Sequence, residues 1–391
     1  MTPAARVQAA IDILDAILDG DAAEKALTHW ARGSRYAGSK DRAAVRDHVF
    51  QALRCLRSHA VLGGSQTGRG LLIGALRDDG IDPATLFTGE GHAPAPLTDL
   101  ERTPARGFAS AAEEFDIPDW LWPLWQRSLG PEAEGAARGL RQRAPTHLRV
   151  NLRKGPREAA IARLAAEGIE TEAHPASPTA LNVLEGARKI RTSDSYLSGF
   201  VELQDAASQG VVDALPLQSG MRVLDYCAGG GGKSLAMAGR AEVALFAHDA
   251  EPRRMKDLPE RAGRAGVAVT CLTTAQLAKS APFDLVLCDA PCSGSGSWRR
   301  DPEGKWRLSQ AHLDEVTAVQ AEILDAAAKL VATGGTLAYA TCSMLDVENT
   351  LQRQAFLDRH PDWQVLSDAA WQVHSGTDGF YVCLFQRTAA Q

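Results

Sequence analysis

Cys292 and Cys342 are the residues of this sequence best placed to do chemistry. Free cysteine is usually a small buried hydrophobe. That suits Cys55, Cys271, Cys288 and Cys383, which sit in apolar runs. Cys292 and Cys342 are instead flanked by Ser, Thr and Pro, where apolar strands end. The first lies in Leu287-Cys-Asp-Ala-Pro-Cys-Ser-Gly-Ser-Gly-Ser-Trp-Arg-Arg300, the second in Tyr339-Ala-Thr-Cys-Ser-Met-Leu-Asp-Val-Glu-Asn349. A thiolate at such a place can attack an electrophilic carbon. Asp289 arrives on the same strand as Cys292. Beyond it, Arg299, Arg300, Lys305 and Arg307 are interspersed with Trp298 and Trp306. A basic and aromatic surface of that kind suits phosphates and stacked bases.

A glycine loop comes earlier, in Val223-Leu-Asp-Tyr-Cys-Ala-Gly-Gly-Gly-Gly-Lys-Ser234. Glycines let a backbone approach a ligand closely, and the helix start beyond them favours a negative group. The spacing before Gly232-Lys233-Ser234 is not that of a phosphate-binding P-loop. Asp225 would repel phosphates and suits the ammonium of an amino-acid tail. Asp249 closes the next strand, roughly twenty residues past the loop, where an acidic residue commonly bonds a ribose. NAD and S-adenosylmethionine both carry that ribose. A helix cap before Pro252 is the other use for Asp249.

These pieces need elements to position them. The chain has 391 residues, which points to two or three domains. Hydrophobic residues make up 45% and charged ones 23%, ordinary globular values. The net charge of −6 argues against a chain coated in positive charge and leaves room for a local basic face. Seven cysteines without a CxxC pair argue against a disulfide scaffold or a zinc knuckle, and no ligand cluster suggests a metal. The start does not read as a signal peptide, and no apolar run reaches bilayer length. A cytoplasmic monomer is the expectation.

The first stretch shows helical spacing: Val7, Ile11, Leu14, Leu18, then Val45, Val49, Phe50, Leu53, Leu56. Between Gly91 and Ala112 the composition turns to that of a linker. Trp120, Trp122 and Trp125 follow, read as packing residues against a neighbouring domain. A small α+β unit comes next, with strands expected at His147–Leu152, Ile169–Ala173 and Ala180–Leu184, and a helix over Ala159–Glu167. From Gly199, strands expected at 221–227, 243–249, 268–272, 283–289 and 335–341 alternate with helices, the clearest over Ser309–Thr333. That alternation argues for a doubly wound, mostly parallel sheet, with ligands at the strand carboxyl ends. The expected domains are 1–135, 136–198 and 199–391.

Taken in order, the four motifs resemble the RNA cytosine-5 methyltransferases of the Nop/Sun family. The likeness runs from about Gly199 to Arg387. It takes in Leu203-Gln-Asp-Ala-Ala-Ser208 and Gly376-Thr-Asp-Gly-Phe-Tyr381. His147-Leu-Arg-Val-Asn-Leu152 is similar to the small RNA-recognition-like subdomain of those enzymes. The helical start, with Arg35-Tyr-Ala-Gly-Ser-Lys-Asp-Arg42, is similar to the NusB-like RNA-binding domain of the bacterial ribosomal branch. The resemblance implies an α/β chain: a Rossmann-like methyltransferase domain preceded by a small α+β subdomain and an all-α NusB-like domain. It implies S-adenosylmethionine as cofactor and RNA, ribosomal RNA first and transfer RNA second, as partner. It implies no metal. Cys342 would attack carbon 6 of the cytosine, Cys292 would assist breakdown of the adduct, and Asp289 would bond the ring. Lys233 would lie beside them. Asp225, Cys227, Ala228, Gly229, Gly230, Gly231, Gly232, Lys233, Asp249, Arg254 and Asp289 would hold the cofactor. Arg299, Arg300, Lys305, Trp306 and Arg307 would meet the RNA.

The sequence departs from the family at three places. Cys227-Ala-Gly-Gly-Gly-Gly-Lys233 stands where Cys-Ala-Ala-Pro-Gly-Gly-Lys is common. Cys271-Leu-Thr-Thr-Ala275 lacks the usual acidic adenine contact, for which Thr273 or Thr274 would substitute a hydroxyl. Trp298 is bulkier than the family pattern. Three other readings compete. An NAD-dependent oxidoreductase would use the glycine loop and Asp249 but leaves both cysteines unexplained. A non-catalytic RNA-binding assembly factor fits the altered adenine site but not the presence of Asp289, Cys292, Lys233 and Cys342. The third keeps the chemistry and exchanges the two cysteine roles.

Overall fold

The computed structural model describes residues 1–103 and 106–387. Pro104 and Ala105 of the expected linker, and the last four residues of the expected 199–391 domain, lie outside the described residues. The chain divides into two compact units, one of residues 1–143 with 298–307, the other of 144–297 with 308–391.

The first unit is helical. Its first helix, Pro3–Leu18, starts where Thr2 accepts the Ala5 N–H and Pro3 fixes the first turn. Helices Ala23–Gly33, Ser39–Arg54, Leu56–Gly63 and Gly68–Asp78 follow. The residues at helical spacing turn inward: Val7, Leu14, Val45 and Val49 are fully buried and share one core with Leu71, Leu72 and Ile73. Trp125 is buried and bonds the Ala133 carbonyl at 2.8 Å. Trp122 stacks on Phe115 at 5.7 Å, and Trp120 stays partly exposed.

Residues Trp298–Arg307 pack as part of this helical unit, which corrects the expected basic surface. Trp298 is buried and stacks on Trp125 at 6.1 Å. Lys305 is 1% exposed, its ammonium donating to the Arg54 carbonyl at 3.0 Å and lying 4.5 Å from the Trp306 ring. Trp306 donates to the Leu53 carbonyl at 2.7 Å, and Arg54 donates to the carbonyl of buried Arg299 at 2.8 Å. Arg300 and Arg307 are exposed, with Arg307 paired to Glu303 at 2.5 Å. The last carbonyls of helix Ser39–Arg54 lack partners within the helix, and the inserted segment supplies their donors.

The fold also assembles a cluster invisible in the sequence. One ligand atom each from Cys55, His59 and Asp78 lies within 4.8 Å of the others. Cys55 and His59 share a helix face four residues apart. The Asp78 carboxylate is shared between His59 at 3.5 Å and Arg141 at 2.9 Å. Burial works against the His59 imidazolium, but its bonds to Asp78 and Cys55 hold its pKa up at about 9. Two cations on one carboxylate make this an ion-pair network.

The second unit begins with a four-stranded antiparallel sheet in the order β2-β3-β1-β4, from β1 (His147–Val150), β2 (Glu170–Ala173), β3 (Ala180–Glu185) and β4 (Val201–Leu203). Helix Arg157–Ala166 covers it over a core of Leu148, Leu164, Ile169 and Leu181. Because β4 pairs with β1, the small sheet runs past residue 198.

The larger sheet has seven strands: β5 (Arg222–Asp225), β6 (Ala244–His248), β7 (Thr270–Leu272), β8 (Phe283–Asp289), β9 (Val331–Thr341), β10 (Trp363–Trp371) and β11 (Phe380–Arg387), in the order β10-β11-β9-β8-β5-β6-β7. The five central and edge strands from β9 to β7 are parallel, and β11 and β10 close the other side antiparallel. Strand order reverses between β5 and β8, where ligands bind in such sheets. The long helix is Gln310–Ala328, capped by Ser309, and ends five residues before the expected Thr333. Val331 pairs with Phe283 and starts β9 instead. No helix among the described residues is long and apolar enough to cross a membrane.

Lys305 gives the fold a testable signature. Burial pushes its ammonium down to about 8, below the ordinary lysine value of 10.5. Between those values the unfolded chain binds more protons, so this residue makes stability rise with pH across that window. Lys305→Met should therefore flatten the rise, by on the order of 3 kcal/mol between pH 8 and 10.5. Urea midpoints of the two proteins across that range check it.

Candidate active site

The site forms where β5, β8 and β9 end side by side. The chain leaves β5 at Asp225, crosses the glycine loop and enters helix Gly232–Arg240. Gly231 has φ +79°, and a Cβ there would stand 2.2 Å from Leu258 Cδ1, so only glycine fits. Gly229 has φ +50°, a conformation for which the alanine common in the family is poorly suited.

An open cavity of about 520 Å³ lies over this loop. Cys227, Ala228, Gly229, Gly230 and Gly232 form one wall, with Arg254 at its edge. Lys233, Asp289, Cys292 and Cys342 form the opposite part. The structure thus brings together the four expected catalytic residues and most of the expected cofactor set.

Asp225 and Asp249 stand behind the wall, buried at 1% and 3% exposure. Asp249 accepts the Gly229 N–H and the Glu251 N–H, both at 2.9 Å, and pairs with Arg254 at 3.4 Å. It therefore shapes the loop and the turn that follows, while the helix Pro252–Met255 is capped at Glu251 with no side-chain bond, so Asp249 is not the helix cap the sequence also allowed. Asp225 accepts from the Ser234 hydroxyl at 2.6 Å, while its Oδ1 has no partner. Burial pushes that carboxyl up to about 7. A cationic ligand group would favour its ionised form. Thr273 and Thr274 do not border the cavity. The Thr274 hydroxyl meets His248 at 3.0 Å, and that of Thr273 bonds Gln276 at 2.9 Å within a helix cap.

At the reacting end, Lys233 donates to Asp289 at 2.7 Å and lies 4.9 Å from the Phe380 ring. Burial opposes its charge, but Asp289 overrides it and holds the ammonium above its usual value. The sulfurs of Cys292 and Cys342 are 3.3 Å apart. A hydrogen bond from Cys292, then the Lys233 charge and the Ser297 hydroxyl, hold the Cys342 thiol below its ordinary value against burial and Asp289. Cys292 is pushed well above it, first by that same shared bond and then by burial. Of the pair, Cys342 is the one disposed to ionise.

Sequence reasoning missed Gln204 and Ser208, which also line the cavity. Gln204 donates to Ser208 at 3.2 Å and accepts from Arg149 at 2.5 Å. Arg149 also donates to the Gly232 carbonyl at 2.6 Å, tying β1 of the small sheet to the glycine loop. The signal was present in Leu203-Gln-Asp-Ala-Ala-Ser208, a motif with no assigned task.

The fit to S-adenosylmethionine rests on these features. The cavity has a glycine wall for close approach and an exposed arginine at its edge, and behind that wall lies an unsatisfied buried carboxylate oxygen suited to an ammonium.

Residues 212–384 match the family model of 16S rRNA methyltransferase RsmB/F, and 117–191 match a ferredoxin-like domain of RsmF/B-like methyltransferases. Ribosomal RNA small subunit methyltransferase B of Citrobacter koseri is 36% identical over 261 residues, 65% of this chain and 61% of that protein. The same-named protein of an Escherichia coli strain is 35% identical over 261 residues, with the same coverage. The chain thus spans about 61% of the length of these curated relatives. Among solved structures, PH0851 is similar with a TM-score of 0.76 and 23% identity over 99% of both chains. NSun6 from Pyrococcus horikoshii is similar with a TM-score of 0.63 and 17% identity, over 70% of this chain and 99% of that one. At those identities the likeness is one of fold.

Two outcomes follow from the geometry. Gly231→Ala should cost about 1–3 kcal/mol, through its positive φ and the Leu258 clash, read as a lowered denaturant midpoint. In the native protein, iodoacetamide should modify Cys342 at lower pH than Cys292, and Lys233→Met should raise the Cys342 midpoint. Peptide mass spectrometry across pH measures both.

Proposed function

We propose that this chain, whose residues 212–384 match the RsmB/F methyltransferase model, methylates carbon 5 of a cytosine in small-subunit ribosomal RNA through a covalent Cys342 adduct. The observation that carries the reading is the pair of sulfurs 3.3 Å apart beside Asp289 and Lys233, on a cavity walled by the glycine loop. The names of the relatives support ribosomal RNA as the substrate.

Carbon 5 of cytosine is too weak a nucleophile to take a methyl group directly. The Cys342 thiolate adds at carbon 6, the ring nitrogen that gains charge takes up a proton from solvent, and the Asp289 carboxylate accepts a hydrogen bond from the resulting N–H. Cys227–Gly232 and Arg254 would hold S-adenosylmethionine, which would supply an electrophilic methyl group for carbon 5. Breakdown then passes the carbon 5 proton to a base, a role for Cys292 once its own proton has gone to solvent, and breaks the Cys342–carbon 6 bond, whose electrons return to the thiolate. Cys292 is suited to assist there. It keeps its proton while it bonds the neighbouring sulfur, and that hold weakens once Cys342 has spent its charge on the base. Lys233 keeps Asp289 oriented and favours the Cys342 thiolate by its charge. A base in structured RNA must leave its stack to enter.

The test is transfer of labelled methyl from S-adenosylmethionine to RNA from a strain lacking this protein, with 5-methylcytosine mapped. One labelled cytosine in small-subunit ribosomal RNA is expected. Label on transfer RNA alone would overturn the substrate, and no label from folded protein would favour the assembly-factor reading. Cys342→Ala should lower transfer roughly 1,000-fold or more. Cys292→Ala should accumulate a protein–RNA adduct resistant to denaturing gels. Trapping by Cys342→Ala instead would exchange the two roles.

A further inference from the structure

Glu348 has no part in the scheme above, yet its side chain is fully buried. It ends the short turn Asp346–Glu348, six residues past Cys342. Its Oε1 accepts the Ser293 N–H at 2.7 Å and the Gln320 amide at 3.1 Å. Its Oε2 accepts the Ser293 hydroxyl at 2.5 Å and the Ser343 hydroxyl. Ser293 follows Cys292 in the chain, and Ser343 follows Cys342. Gln320, also fully buried, donates from the same amide nitrogen to the carbonyl of Pro291, just before Cys292, at 2.9 Å. On the other loop, Asn349 accepts from Thr341 at 2.6 Å and donates to the Ser343 carbonyl at 2.9 Å.

One carboxylate therefore spans the two cysteine-bearing loops. Its partners are a backbone N–H, two hydroxyls and an amide, none of them charged. An ionised carboxylate only accepts, so four donors match that state. Such a group is costly to bury unless its bonds are all made. Gln320 alone would hold the Cys292 loop, and Asn349 alone would hold the Cys342 loop. Glu348 bonds to both, beside direct contacts between the loops: Ser295 meets Ser343 at 3.0 Å and the Met344 N–H at 2.8 Å, and the Gly296 N–H meets the Cys342 carbonyl at 2.9 Å.

We propose that Glu348 is the positioning residue of the two-thiol site: its buried carboxylate locks the Cys292 and Cys342 loops in register and turns a negative field on Cys292. The proposal rests on the two-cysteine reading given above. The field has the expected direction, since Glu348 adds to the burial and the shared thiol bond that keep Cys292 protonated. The same residue thus sets the spacing of the two sulfurs and makes them unequal.

Glu348→Gln keeps the shape and removes the charge, and Glu348→Asp keeps the charge and shortens the reach. Two readouts separate their effects. The first needs no RNA: iodoacetamide modification of Cys292 against pH. Its midpoint should fall in Glu348→Gln and stay near the native value in Glu348→Asp. The second is single-turnover methyl transfer, which should drop about 100-fold in both variants, the cost of displaced reacting groups. Binding of S-adenosylmethionine should stay within about twofold, because Glu348 does not border the cavity. If Glu348→Gln fails to fold, the double variant Ser293→Ala with Ser343→Ala removes the two hydroxyl ties and leaves the carboxylate in place on the Ser293 N–H and Gln320. It should lose transfer to a similar extent. A Glu348→Gln protein with native Cys292 titration and native transfer overturns the proposal. If the native protein methylates no RNA, the proposed function falls, and the Cys292 midpoint alone decides Glu348: a fall upholds its role and no change refutes it.

Discussion

The pairing of β8 with β9 is the constraint on which the rest of this structure depends. The two strands run parallel, with Asp289 opposite Ala340. Cys292 lies three residues past the first of these positions and Cys342 two past the second, so both loops leave the sheet at one place. The Ala290 N–H continues the ladder to the Ala340 carbonyl, and the Gly296 N–H bonds the Cys342 carbonyl, each at 2.9 Å. Two thiols fifty residues apart in sequence meet because two strands are in register. A slip of one residue would turn every side chain of a strand to the opposite face. Burial guards against it. Leu285, Val286, Leu287 and Cys288 on β8, and Leu337, Ala338, Tyr339 and Ala340 on β9, are all fully buried. Both faces of these strands pack in core, as parallel strands require.

What could be read from the sequence followed from locality. A strand, its terminal acid and the loop beyond it are contiguous, so the Asp289, Cys292 and Cys342 motifs announced themselves. Strand β8 has the bounds its apolar run implies. The glycine loop was equally plain, because a positive φ and a close neighbour leave glycine as the residue that fits. Errors came where a partner far along the chain decided the outcome. Lys305 and Trp306 have the composition of a nucleic-acid surface, but their donors meet the end of helix Ser39–Arg54, some 250 residues away. The sequence holds no trace of that meeting. The Cys55, His59 and Asp78 cluster needed two helices to pack before it existed. The end of helix Gln310–Ala328 was misplaced because Val331 gains a strand partner in Phe283, which local propensity cannot register.

The cavity shows the same division between local and distant causes. Gly229 and Gly231 make the loop by their own conformations, whereas Asp249 keeps it closed from twenty residues away through the Gly229 N–H. Asp225 sits at the strand end as expected, but burial leaves one of its oxygens unsatisfied. Such an atom is expensive in a finished interior. It is a reason for the loop to favour a ligand that brings a donor, and it lies behind the wall that the glycines leave thin.

The two sulfurs are chemically identical, touch each other and are both half-buried, so their difference must come from the groups around them. Lys233 bears on Cys342, and its own charge is secured by Asp289 at 2.7 Å. Glu348 bears on Cys292, and its carboxylate accepts from four neutral donors. A cation on one side and an anion on the other polarise a single S–H···S contact along its length, and low dielectric strengthens both effects. The proton then belongs with Cys292 and the negative charge with Cys342. Neither charge would suffice alone. Without Lys233, the Cys292 hydrogen bond would hold Cys342 down with less help against burial and Asp289. Without Glu348, the bias that keeps the proton on Cys292 would weaken, and the loops would lose one of the ties between them. Lys233 comes from the helix after β5 and Glu348 from the turn after β9, so the polarity of the thiol pair depends on the strand order that places these elements on either side of it.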